Sequence, residues 1–255
     1  DINLFNKVEI AIIWNLPDQI LNKLPNLKII FSLGAGVDHI LKLNDYNGTP
    51  IVRIKDPLMG ELMHNYVLSQ ILNYQVAINE YKIAQTNKIW RKEILPKFNK
   101  DLTIGILGLG FLGSIVGNSL VKTNYKVIGY KKNKIKKTKF KTYYNRQLHQ
   151  FIKCSDIIVN ILPNTKETKD FIDLKFLSLM KQNSLLISIG RGSTVNETDL
   201  VIHLKNNKSF YASLDVFENE PLSKKSPLWS LQNVNITPHV ASITLINSAI
   251  DIIFN

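Results

Sequence analysis

Three polar side chains in the second half of the chain have the types and spacing that acid–base chemistry on a small carboxylic substrate would need. Arg191 stands between Gly190 and Gly192, directly after the apolar stretch 185–189. Glu220 precedes Pro221 in Asp215-Val216-Phe217-Glu218-Asn219-Glu220-Pro221, and His239 closes Thr237-Pro238-His239. Singly, each has an ordinary explanation, since a histidine after proline is commonly a satisfied loop residue and a glutamate before proline is commonly solvated. Together, at the ends of successive strand-like segments, they form an anion-binding and acid–base set, placed where an open parallel sheet builds its site. The planar guanidinium of Arg191 suits a carboxylate and polarises a neighbouring ketone. When hydride reaches that ketone its oxygen becomes negative; His239 is the natural proton donor, with Glu220 orienting the ring and favouring its charged form. The chemistry such a set would suit is reduction of a 2-keto acid by a hydride-carrying cofactor.

A cofactor site is legible upstream. Leu102 to Leu107 reads as a buried strand running into Gly108-Leu109-Gly110-Phe111-Leu112-Gly113 and a helix over 113–123. Between strand and helix, the first glycine of such a fingerprint permits a tight turn, the second lets backbone approach a pyrophosphate, and the third packs helix on strand. A second strand, Lys126 to Tyr130, ends in Tyr130-Lys131-Lys132-Asn133. An acid at this position would grip the ribose 2′-hydroxyl of NAD; its absence, with Lys131 and Lys132 in its place, favours NADP(H) while leaving NAD(H) acceptable. The competing explanation assigns these lysines, and the stretch Lys131 to Lys141, to the chain's general lysine excess.

The elements that must position these residues follow an alternating pattern. Strands are expected at 8–14, 28–33 and 50–54, with helices over 18–24 and 37–43. A long helix is expected from about Glu61 to Gln85, its Leu62, Tyr66, Ile71, Val76 and Ile83 spread so that both faces need cover. Further strands are expected at 157–161, 185–189, 211–214 and 234–236. Such alternation predicts an α/β fold with parallel sheets: a doubly wound cofactor lobe over 66–240, and a smaller substrate lobe over 1–65 to which 241–255 returns.

Composition narrows the class. A chain of 255 residues with 45% hydrophobic content buries a sizeable core. The net charge of +12 is nearly all lysine, scattered rather than clustered, with arginine only at 53, 91, 146 and 191; no nucleic-acid partner is expected. No apolar run is long enough for a membrane span, and the opening Asp1-Ile2-Asn3-Leu4 lacks the basic start of a secretory leader, so no membrane partner is expected. The single cysteine, Cys154, reads as a structural thiol in a reducing compartment, and a cytoplasmic location is expected. His39, His64, His149 and His203 show no metal-ligand spacing, and no metal is expected. Trp14, Trp90 and Trp229 read as packing residues, with Trp14 near enough to a strand end to wall a pocket.

The ordered set of motifs resembles the D-isomer-specific 2-hydroxyacid dehydrogenases over nearly the whole chain. It comprises Leu33-Gly34-Ala35-Gly36-Val37-Asp38, the glycine fingerprint, Leu162-Pro163-Asn164-Thr165-Lys166-Glu167-Thr168, Gly190-Arg191-Gly192, Asp215-Val216-Phe217 with Glu220-Pro221, and Thr237-Pro238-His239. Met59-Gly60-Glu61 and Ser226-Pro227-Leu228-Trp229 are most similar to the branch that reduces glyoxylate and hydroxypyruvate. The resemblance implies a flavodoxin-like substrate lobe, a Rossmann-type cofactor lobe, a homodimer and NADPH-dependent turnover of a small 2-keto acid. It further implies that the amides of Ala35 and Gly36 hold the substrate carboxylate beside Arg191, and that Asp215 meets the nicotinamide carboxamide. Phe111, Leu112, Leu162, Pro163, Thr168, Ile189 and Gly190 join the fingerprint glycines and the two lysines as implied cofactor contacts. Against that family the chain appears trimmed at both ends, Asn65 replaces a glutamate, and Ser188 replaces an asparagine. A 2-keto acid of another size, a nucleotide-sensing relative without turnover, and a decayed enzyme are the alternatives, although all three catalytic side chains are present.

Overall fold

The computed structural model describes residues 2–133 and 138–254. Residues 134–137 of the lysine-rich stretch lie outside the described residues. The chain forms two compact units, Asp1–Met59 with Ile243–Asn255 and Gly60–Ser242.

In chain order the elements begin with α1 (Ile2–Phe5), β1 (Ile10–Ile13), β2 (Ile29–Ser32), α2 (Asp38–Leu41) and β3 (Ile51–Arg53). The long α3 (Pro57–Gln75) and α4 (Ile78–Thr86) follow, then β4 (Thr103–Leu107), α5 (Phe111–Lys122), β5 (Lys126–Lys131) and β6 (Lys141–Tyr144). The remainder is α6 (Leu148–Cys154), β7 (Ile157–Asn160), α7 (Leu174–Leu179), β8 (Leu185–Ser188), α8 (Glu197–Asn206), β9 (Tyr211–Leu214), β10 (Val234–Ile236) and α9 (Ile246–Phe254).

In the first unit three parallel strands pair in the order β1-β2-β3. Its core is Ile13, Leu21, Ile30 and Ile40. The helix expected over 18–24 is instead a turn with a short 3-10 stretch, Leu21–Lys23. Pro25 disfavours helical geometry at Leu24, Gln19 takes a left-handed φ of 66°, and the Asp18 carboxylate accepts from the backbone of Asn44 rather than capping a helix.

In the second unit seven parallel strands run β10-β9-β8-β7-β4-β5-β6. Chain order reverses between β4 and β7, the switch point of a Rossmann-type sheet, and the crevice beyond the carboxyl ends of those strands is where such sheets take ligands. Every residue of β7 and β8 is buried, which is why these strands read as continuous apolar runs without alternation. One face of the sheet packs Ile128, Ile158, Leu186 and Leu214 with Phe151 of α6 and Leu200 of α8. The other packs Ile104, Ile106, Val159 and Ile187 with Val116 of α5 and with Val67 and Ile71 of α3.

Two expectations about this unit are corrected. The long helix is broken between α3 and α4, where Ala77 adopts a left-handed φ of 56° without proline or glycine to signal it. Its cover is also one-sided: Met63, Val67 and Ile71, four residues apart, are buried, whereas Leu72 and Val76 remain exposed. The edge strand β6 was not expected; its Lys-Thr-Tyr-Tyr sequence is short and, among the described residues, pairs only with β5. No helix among the described residues is long and apolar enough to cross a membrane.

Candidate active site

The glycine fingerprint occupies the turn from β4 into α5. Gly108 has a φ of 107°, and a side chain there would come within 2.8 Å of the Ile161 carbonyl oxygen. A methyl on Gly113 would lie 2.1 Å from the Gly108 carbonyl oxygen, so the helix starts against its own strand. Gly110 differs, because a methyl there would meet nothing within 4 Å. The turn is thus closed around Gly108 and Gly113 and open at Gly110, where a pyrophosphate needs room in front of the α5 N-terminus. Phe111 and Leu112 form the first residues of α5, the former 39% exposed.

At the end of β5 the Lys131 ammonium donates to the carbonyl oxygen of Leu109, 3.1 Å away inside the fingerprint. Lys132 pairs with Glu167 at 3.3 Å, both exposed. The loop after β7 is folded by Thr168, whose hydroxyl donates to the Pro163 carbonyl oxygen at 2.6 Å, and the Leu162 amide donates to Asn160 at 3.2 Å. A side chain on Gly190 would lie 2.5 Å from the Leu162 carbonyl oxygen, so glycine is what lets the loops after β7 and β8 touch. Ile189 is buried beneath them.

Gly192 fixes the other side of the arginine loop: a methyl there would sit 1.8 Å from the Phe217 carbonyl carbon. Glycines flanking Arg191 therefore press its loop against those after β7 and β9. One guanidinium nitrogen donates to the Gly190 carbonyl oxygen at 2.9 Å. Below the loop, the fully buried Asn160 amide donates to Ser188 at 3.1 Å and to Thr194 at 2.7 Å, and the Thr194 hydroxyl donates to the Arg191 carbonyl oxygen at 2.7 Å. The serine at 188 is thus accommodated as an acceptor for a neighbouring strand's asparagine.

His239 and Glu220 meet as the chemistry requires, with Nδ1 2.7 Å from Oε2. A carboxylate only accepts, so the proton sits on Nδ1 and Nε2 is left to exchange protons with a substrate. The other oxygen of Glu220 accepts the Phe217 amide at 3.0 Å, which orients the carboxylate. Asp215 is 1% exposed. Its carboxylate accepts the amides of Val240 at 2.9 Å and Ala241 at 2.8 Å and the hydroxyl of Thr237, so within this unit it holds the histidine turn. Tyr66 and Asn160, which support these loops, escaped the sequence reading because nothing in their local pattern separates them from core residues.

Ala35 and Gly36 lie in the first unit, in the loop after β2. The buried Ser32 hydroxyl bonds the carbonyl oxygens of Gly34 and Gly36 at 3.2 and 3.4 Å, and Thr244 donates to the Leu33 carbonyl oxygen at 2.8 Å.

A switch-point crevice, a glycine cradle before α5 and a histidine–carboxylate pair beside an arginine loop define a Rossmann-type dinucleotide-dependent oxidoreductase. Residues 68–241 match the family model for the D-isomer specific 2-hydroxyacid dehydrogenase, NAD binding domain. The chain is 35% identical to glyoxylate/hydroxypyruvate reductase A of Photorhabdus laumondii, over 95% of this chain and 80% of that protein. A D-isomer specific 2-hydroxyacid dehydrogenase from Xanthobacter autotrophicus, solved with NADPH and MES, superposes with a TM-score of 0.91 at 32% identity, covering 96% of this chain and 78% of that one. The NADPH-dependent glyoxylate/hydroxypyruvate reductase of Sinorhizobium meliloti, solved with NADP and sulfate, gives 0.88 at 32% identity, covering 93% and 76%. The chain belongs to the D-isomer-specific 2-hydroxyacid dehydrogenase family.

Proposed function

We propose that this enzyme reduces small 2-keto acids with NADPH, glyoxylate to glycolate and hydroxypyruvate to D-glycerate. The observation that carries the reading is the 2.7 Å pairing of His239 with Glu220 on the loops beside that of Arg191. The relatives of 35% and 32% identity that bear the reductase name support the substrate class.

The residues present fit the dinucleotide, since the space in front of Gly110 is open and the end of β5 carries Lys131 and Lys132 instead of an acid. Gly108, Gly110, Phe111, Leu112 and Gly113 would hold the pyrophosphate, the two lysines the 2′-phosphate, and Leu162, Pro163, Thr168, Ile189, Gly190 and Asp215 the nicotinamide half. When bound, the reduced cofactor supplies the hydride. Arg191 binds the substrate carboxylate and polarises the ketone, with the amides of Ala35 and Gly36 as further donors to the carboxylate. The Nε2 proton of His239 passes to the ketone oxygen as negative charge develops there, and Glu220 keeps the ring oriented through Nδ1, which holds its own proton as the ring becomes neutral. NADH would be accepted less well, for want of the charge that two lysines answer.

The enzyme works in the cytoplasm as a homodimer. Its single Cys154 suits a reducing compartment. Ile89, Trp90, Leu95 and Phe98, 59%, 86%, 84% and 62% exposed in one short segment, form an apolar surface suited to a second copy. Sedimentation would show a mass of one chain if that assignment is wrong.

The deciding experiment follows absorbance of NADPH and of NADH with glyoxylate, hydroxypyruvate, pyruvate or no substrate. Faster oxidation of NADPH with either of the first two is expected. A folded protein that binds NADPH yet turns over none of the three would overturn the reading.

A further inference from the structure

We propose that Tyr66 and Thr237 are positioning residues for His239: the Tyr66 hydroxyl braces Thr237, Thr237 braces the buried carboxylate of Asp215, and that carboxylate holds the turn that carries the imidazole. The inference rests on the reading of His239 as the proton donor.

His239 has a φ of 56°, in the left-handed region that residues with a side chain rarely occupy. Such a conformation is strained and persists only where its surroundings over-determine it. Glu220 holds the ring and the Leu214 carbonyl oxygen accepts the Thr237 amide, while Asp215 supplies the other acceptors of the turn. The His239 amide donates to the Asp215 carbonyl oxygen at 2.8 Å, and the two following amides and the Thr237 hydroxyl donate to the Asp215 carboxylate. A carboxylate that is 1% exposed depends on those donors, because burial has removed its water.

The brace extends one residue further. The Tyr66 hydroxyl lies 2.7 Å from the Thr237 hydroxyl. Thr237 has one hydrogen and Asp215 can only accept it, so Tyr66 must donate to Thr237. Burial pushes the Tyr66 phenol up to about 12; the Thr237 bond opposes that rise and the Asp215 charge adds to it. The hydroxyl therefore stays a donor at any working pH. Each bond in such a chain polarises the next, so loss of the first weakens the grip of Thr237 on Asp215 and leaves its oxygen without a donor. The Tyr66 ring packs against the core that α3 shares with β4 and α5, and phenylalanine would keep that packing.

The test compares Tyr66→Phe, Thr237→Val, Thr237→Ser and the Tyr66→Phe/Thr237→Val double variant in the full chain. Expected for Tyr66→Phe is a kcat lowered by about tenfold, with NADPH binding still stoichiometric and its KM within about twofold of the parent. Thr237→Val should lose as much or more, Thr237→Ser should restore most of it, and Tyr66→Phe should cost little further in the valine background. A merely structural role would lower kcat and binding stoichiometry together, and serine would not rescue it. The downfield Nδ1 proton of His239 in NMR spectra, assigned by its loss in His239→Ala, gives a readout free of turnover. It should weaken or broaden in Tyr66→Phe and Thr237→Val. Parental kcat and an unchanged resonance in both variants would overturn the inference. If Tyr66→Phe does not fold, the valine and serine pair at 237 decides. If the parent reduces no keto acid, the functional reading fails by itself while the resonance still tests the brace.

Discussion

The two units of this protein hold their loops in different ways. In the larger one, loops at the carboxyl ends of β4, β7, β8 and β9 are pressed backbone against backbone, at distances that leave no room for a side chain at Gly108, Gly113, Gly190 or Gly192. The strands behind them are buried on both faces, so the loops stand on a base that does not yield. In the smaller one the sheet has three strands, and Ile10, Ile12 and Val52 on its outer strands are 59%, 41% and 41% exposed. Its loop over 33–37 is tied by two hydroxyls, those of Ser32 and Thr244. The paired His239 and Glu220 thus stand where the core is thick, and the loop of Ala35 and Gly36, proposed to hold the substrate carboxylate, rests on a thinner one.

That contrast is most sharply tested at the chemistry. Arg191→Ala and His239→Ala should each lower turnover by about a hundredfold to ten-thousandfold while NADPH binding persists, as measured by absorbance assay and fluorescence titration. Near-parental turnover in either would remove that residue from its role. Next in size, Gly108→Ala should lower stability by about 2 kcal/mol or more, because its φ of 107° and the Ile161 carbonyl both oppose a side chain. Gly110→Ala should behave oppositely. Its backbone is extended and the added methyl meets nothing in the protein, so Tm should move by less than about 2 °C while NADPH binding weakens by about tenfold or more. Equal melting of the two variants would show that the open cradle at Gly110 is misread.

Hydrogen exchange compares the units directly. Amides of β1 and β3 should exchange at least about a hundredfold faster than those of β7 and β8, and equal protection would show that the thin sheet is as stable as the thick one. The smallest expected effect concerns pH. Burial lowers the pKa of His203, which packs edge-on against Phe210 at 4.6 Å, from its ordinary value of 6.5. Above 6.5 the ring is neutral whether the chain is folded or not and has no effect on stability. As pH falls below that value the unfolded chain takes up the proton first, so stability declines until the folded form is protonated too. His203→Asn should therefore reduce the fall in Tm between about pH 7.5 and about pH 5.5 by about 1 °C, and an unchanged slope would assign the decline to other groups.

Legibility followed the same division. The central strands β7 and β8 of the larger unit announce themselves because burial on both faces demands unbroken apolar runs, whereas the edge strand β6 gives no such run, and the strand-end loops carry glycine because backbones touch there. The helix expected over 18–24 misleads because its apolar spacing is helical while Pro25 and the left-handed Gln19 prevent continuation. The break at Ala77 has no local signal at all. At the site, Arg191, Glu220 and His239 could be named from residue type and position after strands. That the histidine turn hangs from Asp215, and that Tyr66, 171 residues away from Thr237 in sequence, completes the brace, could not.

The sequence by itself determined the larger sheet, the glycine cradle, the missing acid at the end of β5 and the identities of the side chains proposed as the acid–base set. These depend on burial, period and backbone freedom, which are local properties of a chain. Only the tertiary structure decided which nitrogen of His239 faces Glu220, why Gly110 alone in the fingerprint has space before it, and what holds a strained turn in place. Those are relations between segments far apart in the chain, and local pattern carries no record of which segments meet.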